Sequence, residues 1–158
     1  MAAVEVCLAE GTGSGLAHIV LQFLEQDLAE FESKRRRAAR LRGRVAMTDS
    51  EHDVSVTLDF RGDRIVICDG AEEPLDASIA GPHRELLGLL QGRTSAVGSH
   101  LRGQLRVRSS WRRPFFPLRV HRLMRLASEP AAGRRTWIYA AAVGLIVAAG
   151  VAYLLLNP

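Results

Sequence analysis

The sequence predicts an α+β fold: a mainly antiparallel five-stranded sheet covered by helices, with one C-terminal transmembrane helix added. Three observations predict it. Apolar residues recur at helical spacing over 16–40, residues 54–60 alternate strictly between apolar and polar, and residues 137–156 carry no charge. The chain has 158 residues. Without its last stretch it is long enough for one hydrophobic core. The organisation expected is an N-terminal extension (1–15), one α+β domain (16–127), a linker (128–136) and a transmembrane helix (137–156).

Each element has a local reason. Leu16, Val20, Phe23, Leu24, Leu28 and Phe31 share one face of a first helix that runs to about Arg40. Acids near its start and the run Lys34, Arg35, Arg36, Arg37 near its end suit the helix dipole. Leu41–Thr48 alternates around Val45 and Met47 and reads as a first strand. Val54, Val56, Leu58 and Phe60 alternate with Ser55, Thr57 and Asp59, the period of a half-buried strand. Arg61, Gly62 and Asp63 turn the chain into a returning strand, 64–68. Leu75–Ala80 is a short fourth strand. No helix-length crossover precedes it, so an antiparallel meander is expected here.

Pro82 opens a second helix, where its missing N–H costs nothing. Leu86, Leu87, Leu89 and Leu90 give it a heavy apolar face, and Gly92 ends it. Thr94–Leu101 is a weaker helical or turn segment. Gln104–Arg108 is the last strand, with Leu105 and Val107 inward. Trp111 to Pro117 leads into a final amphipathic helix with Leu118, Val120, Leu123 and Met124 on its apolar side.

The tail, WIYAAAVGLIVAAGVAYLLL, spans about 30 Å as a helix, the thickness of a bilayer core. Trp137, Tyr139 and Tyr153 lie near its ends, and Arg134 and Arg135 stop it on the N-terminal side. The expectation is a single-pass, tail-anchored membrane protein. Its N-terminal domain is expected in the cytoplasm, at the plasma (inner) membrane in a bacterial host. Glu5 and Glu10 stand where a signal peptide would be positive, so no leader is expected.

Charge is uneven. Residues 1–33 carry acids only, whereas Glu129 is the single acid after Leu86. Basic groups expected at a membrane surface are Lys34, Arg35, Arg36, Arg37, Arg112, Arg113, Arg134 and Arg135, with Trp111 among them; a solvated face is the other reading of such a run. Nucleic-acid binding is disfavoured, because no stacking platform or motif accompanies the arginines. Cys7 and Cys68 have no metal-ligand spacing and do not argue for a disulfide framework. Gly11–Gly15 lacks the dinucleotide spacing. His18, His52, His83, His100 and His121 have no partners at metal-site spacing in sequence. Asp59, Asp63 and Asp69 follow from strand period and turn. No catalytic residue, metal ligand or cofactor is assigned, and the chain is read as no enzyme.

Over 43–127 the chain resembles the sterol carrier protein 2-like (SCP2-like) family. VSVTLDFRGDRIVICDG (54–70) looks like the family's second and third strands with the turn after them, and LDASIAG (75–81) like its next strand. HRELLGLLQGR (83–93), LRGQLRVR (101–108) and RVHRLMRL (119–126) resemble a helix, the last strand and the closing helix. The resemblance implies a five-stranded sheet with helices on one side and an apolar tunnel between them for sterols, acyl chains or fatty acyl-CoA. The tunnel lining it implies is Leu86, Leu87, Leu90, Leu101, Leu105, Val107, Leu118, Leu123 and Met124, with Phe115 and Phe116 near a mouth. Plain core packing is the competing role for each. The sequence departs from the family at Ser109–Pro117, which is richer in arginine, aromatics and proline, and in its tail.

The function expected is membrane-anchored binding or local transfer of a sterol, fatty acyl or isoprenoid lipid. The alternative is a non-catalytic accessory or scaffold subunit that presents an apolar substrate to a membrane enzyme. Partners on these readings are an apolar small molecule, a membrane, and a membrane enzyme or a second copy; Ala140, Gly144 and Ala148, four apart, suit a packed span.

Overall fold

The computed structural model describes residues 4–94 and 96–124. The elements in chain order are β1 (Glu5–Leu8), α1 (Gly15–Glu30), α2 (Glu32–Ala38), β2 (Gly43–Asp49), β3 (Val54–Phe60), β4 (Arg64–Asp69), β5 (Ala77–Gly81), α3 (His83–Leu90), α4 (Ala96–Leu101), β6 (Arg106–Ser109) and α5 (Phe116–Met124). The strands form one sheet in the order β1-β4-β3-β2-β5-β6.

This sheet corrects the expected one. It has six strands and is mixed: β1 pairs parallel with β4, and β2 pairs parallel with β5. Strand β1 lies inside the segment read as an extension. It is too short to show a period, and backbone bonds from Glu5 N–H to Asp63 O (3.0 Å) and from Ala9 N–H to Ile67 O (2.8 Å) hold it. The meander ends at β4. The chain then crosses the loop 70–76 and lays β5 beyond β2, with Val45 opposite Ala77 and Met47 opposite Ile79.

The register puts Val45, Met47, Val56, Leu58, Phe60, Ile65, Ile67, Ala77 and Ile79 on one face, where α1, α3 and α5 cover them in a single core. The alternate residues face the other way. There the Thr48 and Ser55 hydroxyls lie 2.8 Å apart across the β2–β3 pair. Thr57, fully buried, donates to Gly70 O (2.7 Å) and accepts from the Glu72 N–H (3.0 Å), which folds the loop after β4 back onto this face. Gly43 opens β2 with φ at 137°, and a Cβ there would fall 2.4 Å from Asp76 Oδ2.

The single long helix expected over 16–40 is two. Ser14 starts α1, its hydroxyl accepting from the Ala17 N–H (3.1 Å), and Leu16, Ala17, Val20, Leu24 and Leu28 are buried. Phe31 is extended, with φ −115° and ψ 104°, and breaks the helix. That break turns Lys34 inward. Its ammonium pairs with Asp27, sits 5.2 Å from the centre of the Phe31 ring, and leaves the residue 1% exposed. The assignment of Lys34 to a membrane-facing surface is therefore wrong: a solvated run does not contain a buried ion pair.

The transmembrane helix is not supported either. No described helix is long and apolar enough to cross a membrane. Residues 137–156, with Arg134, Arg135 and the Ala140, Gly144, Ala148 stripe, lie outside the described residues. The tail anchor, the single-pass topology and the membrane-anchored mode of action are withdrawn with it.

Asp69 joins β4 to α1. Its Oδ2 accepts from the N–H groups of Gly13 (2.8 Å) and Ser14 (3.0 Å), and its Oδ1 accepts from the Ser14 hydroxyl. The Ser14 hydroxyl, with those N–H groups, holds the carboxyl below its ordinary range. A carboxylate with a lowered folded pKa adds stability above its unfolded pKa, near 4, and loses it as pH falls through the folded value. The melting temperature of the wild type should thus fall more steeply below about pH 4 than that of Asp69→Asn, the two curves converging in acid. Parallel curves would remove Asp69 from the acid response.

Removing one partner of a buried ion pair strands the other charge. Asp27→Ala should therefore cost about 3 kcal/mol in denaturant unfolding, and Asp27→Ala with Lys34→Met should recover most of it.

Candidate functional site: an apolar interior under α5

Two layers enclose the interior. The floor is the inner face of β2, β5 and β6, which presents Val45, Met47, Ile79 and Val107. The roof is Leu89 of α3 with Pro117, Val120, His121 and Met124 of α5. Between them lies a narrow void of about 20 Å³. That is room for about one water molecule. All the lining residues but His121 are apolar.

Local sequence explains the arrangement. Buried residues of α5 fall at Phe116, Val120, Leu123 and Met124, the three-and-four spacing of one helix face. Phe116 meets Phe60 edge to face, ring centres 6.3 Å apart. On its outer side α5 is tied down by Arg37 of α2, which donates to Arg122 O (2.9 Å). Gly81 closes β5 against the chain leading into β6: a Cβ there would lie 2.4 Å from Leu105 Cδ2 and 2.9 Å from Gln104 O. Only a residue without a side chain lets Leu105 approach that closely.

Of the lining residues expected from sequence, Val107 and Met124 border the void. Leu86, Leu90, Leu105, Phe116 and Leu123 are buried in the same core without reaching it, and Leu87 is packed against that core. Leu101 and Phe115 are each 68% exposed and Leu118 is also exposed, so none of the three lines it. Sequence reasoning missed Val45, Met47, Ile79, Leu89, Pro117, Val120 and His121. Strand parity could have found the first three, because the register places them with Val107 on one face.

The basic and aromatic groups expected at a surface are dispersed. Trp111 is 83% exposed, and Arg112 is exposed beside it. Arg113 instead lies 3.5 Å from Asp76 Oδ1 and donates to Arg42 O, which pins the start of α5 to β2. Arg36 pairs with Glu32 (2.6 Å), four residues back on α2, and Arg35 is half-buried. Arg44 and Arg61 share Asp59 at 3.4 and 3.0 Å.

One polar cluster contradicts the expectation that the histidines lack partners. Asp49, at the end of β2, receives His52 Nδ1 at 2.8 Å and His83 Nδ1 at 2.7 Å. Burial pushes the Asp49 carboxyl up, but hydrogen bonds from His52, the Glu51 N–H and His83 outweigh it and hold it at about 2. His52 is raised by its hydrogen bond to Asp49. Asp49 and His83 stand 34 positions apart in sequence, and only the β2–β5 pairing brings them together.

No family model and no curated protein matches the chain. Solved structures do. A ubiquinone synthesis protein described as UbiJ-SCP2 matches with a TM-score of 0.56 at 14% identity, over 69% of this chain and 92% of that one. The sterol carrier protein domain 2 of Helicoverpa armigera matches with a TM-score of 0.51 at 10% identity, over 75% and 99%. A stereoselective inverting sec-alkylsulfatase from a Pseudomonas species matches at 0.50 and 7% identity, over 67% of this chain but 16% of its own. The fold is SCP2-like. At these identities the likeness establishes the architecture alone.

Leu89 is a buried roof residue at the edge of the void. Leu89→Ala should destabilise the protein by about 2–5 kcal/mol, since the enlarged cavity loses both transfer energy and contacts. Chemical denaturation measures it; a cost near zero would mean that α5 collapses freely onto the sheet.

Proposed function

We propose that this protein is a non-catalytic accessory domain that holds an apolar molecule between its sheet and α5 and presents it to a partner enzyme. The observation that supports this reading is the apolar interior closed by one nine-residue helix. Its volume, about 20 Å³, is far below the roughly 300–1,000 Å³ of an occupied ligand pocket. Loading therefore requires α5 to move away from β5 and β6. Each buried methylene of a guest contributes about 0.8 kcal/mol, so a chain of ten offsets about 8 kcal/mol of lost packing before ordering costs. No charged anchor is needed. One structural neighbour is described as a ubiquinone synthesis protein, which favours an isoprenoid or quinone lipid as the guest class. The partner on this reading is an enzyme that acts on such a lipid.

The test uses the full-length chain purified without denaturant. Native mass spectrometry and solvent extraction should find a discrete lipid or quinone mass, or uptake of an offered one. Amide exchange over 116–124 should change on loading. Val120→Leu adds one methylene to the void of about 20 Å³ and should lower uptake while circular dichroism stays unchanged. A wild-type protein that arrives empty and rejects every offered lipid would overturn ligand holding. Ligand uptake by a chain that captures no partner enzyme would overturn the accessory role.

A further inference from the structure

Beyond the apolar interior, the end of β2 carries a second constellation. Asp49 is 2% exposed, and its two carboxylate oxygens are used differently. Oδ1 accepts from the Glu51 N–H at 2.9 Å. Oδ2 faces two imidazoles at once, His52 Nδ1 at 2.8 Å and His83 Nδ1 at 2.7 Å. Asp49, His52 and His83 thus each bring one ligand atom within 4.8 Å of the others. We infer that Asp49 Oδ2, His52 Nδ1 and His83 Nδ1 form a binding site for a first-row divalent cation of the zinc class, with water completing a four-coordinate shell.

The donor set selects the ion. Two imidazoles and one carboxylate oxygen suit zinc and its neighbours, whereas magnesium and calcium ask for about six oxygens. At metal–ligand bonds of about 2.0–2.1 Å, tetrahedral donors stand roughly 3.3 Å apart. The present spacings of 2.7 and 2.8 Å need to widen by about 0.5 Å, within reach of a side-chain rotation. The His52 side chain is 63% exposed and free to make it. Its exposure also leaves the fourth position open to solvent and gives the ion a path in.

The backbone beneath is held independently of any ion. The Ser50 N–H donates to Gly81 O (2.9 Å), and the His83 N–H donates to Glu51 Oε2 (3.0 Å). These bonds lock the turn after β2 to the end of β5 and the start of α3, so Asp49 and His83 meet without a folding cost charged to binding. An ion here clamps β2 to α3. That helix carries Leu89, part of the roof of the apolar interior, so occupancy stiffens the layer that a guest must share.

Cobalt(II) serves as the probe on the full-length chain. Titration should give one saturable equivalent with the visible absorption of a tetrahedral ion, and zinc should bleach it stoichiometrically. His52→Ala and His83→Ala should each weaken binding at least tenfold, while His18→Ala, exposed on α1, should bind as the wild type. Zinc should raise the melting temperature of the wild type and of His18→Ala but not of the two site variants. Nitrogen-15 shifts of His52 and His83 should move from protonated to metal-bound Nδ1. His52 is exposed, so its replacement leaves the fold intact by circular dichroism and keeps the comparison interpretable. No saturable cobalt binding in the wild type, or equal binding in all three variants, would overturn the site and leave Asp49 as a hydrogen-bonded anchor for α3.

Discussion

The parallel pairing of β2 with β5 is the constraint on which the rest of the structure depends. It carries the chain out of the β2–β3–β4 meander and places Ala77–Gly81 on the far side of β2. Everything after it inherits that position. Helix α3 starts two residues beyond Gly81 and packs back over β2 and β5, and β6 is left as the edge strand. Helix α5 then has one uncovered stretch of sheet to close, over β5 and β6. The apolar interior and the Asp49 cluster lie at different points along this one pair of strands. A slip of one residue would turn Met47 and Ile79 outward and part His83 from Asp49.

The interior shows how finely packing and binding are balanced in a small domain. Close-packed cores leave few voids larger than a water molecule, and this one conforms, with about 20 Å³. A helix that seals an apolar floor stabilises the protein in the absence of a guest and competes with any guest for the same surface. Position, more than residue type, separates a core side chain from a lining one here. Leu86 and Leu89 both belong to α3 and both are buried, yet only Leu89 borders the void. Polar ties at the two ends of α5, from Arg113 to Arg42 O and from Arg37 to Arg122 O, hold the roof without contributing apolar area.

Electrostatics follow the same economy. The sequence is rich in arginine, but in the folded chain many of those charges are spent locally. Asp59 serves Arg44 and Arg61, Asp76 serves Arg113, and Glu32 serves Arg36. Exposed pairs of this kind contribute about 0–1 kcal/mol each. Their main effect is to break a basic run into neutralised patches. Lys34 is the exception, because the break at Phe31 buries it against Asp27.

Much of the secondary structure was legible because its signals are local. The alternation over 54–60, the turn at Gly62, Pro82 ahead of α3, and the three-and-four spacing of α5 each act within a few residues. Local signals also misled. Apolar periodicity ran straight through Phe31, where an extended backbone splits the helix, and β1 was too short to show a period. Strand partners were not legible at all, since the loop 70–76 has no feature that says whether β5 lies beside β4 or beyond β2. The uncharged stretch at 137–156 pointed to a membrane span that nothing in the described structure supports. The sequence by itself therefore determined a sheet covered by helices, the inward faces of β2, β3, β5 and β6, and the SCP2-like resemblance. Only tertiary structure decided which leucines reach the void, that Lys34 is buried, and that Asp49, His52 and His83 meet. Hydrophobic period is a property of neighbours along the chain, whereas a site is a property of neighbours across the sheet, and that register is set by the packing of the whole domain.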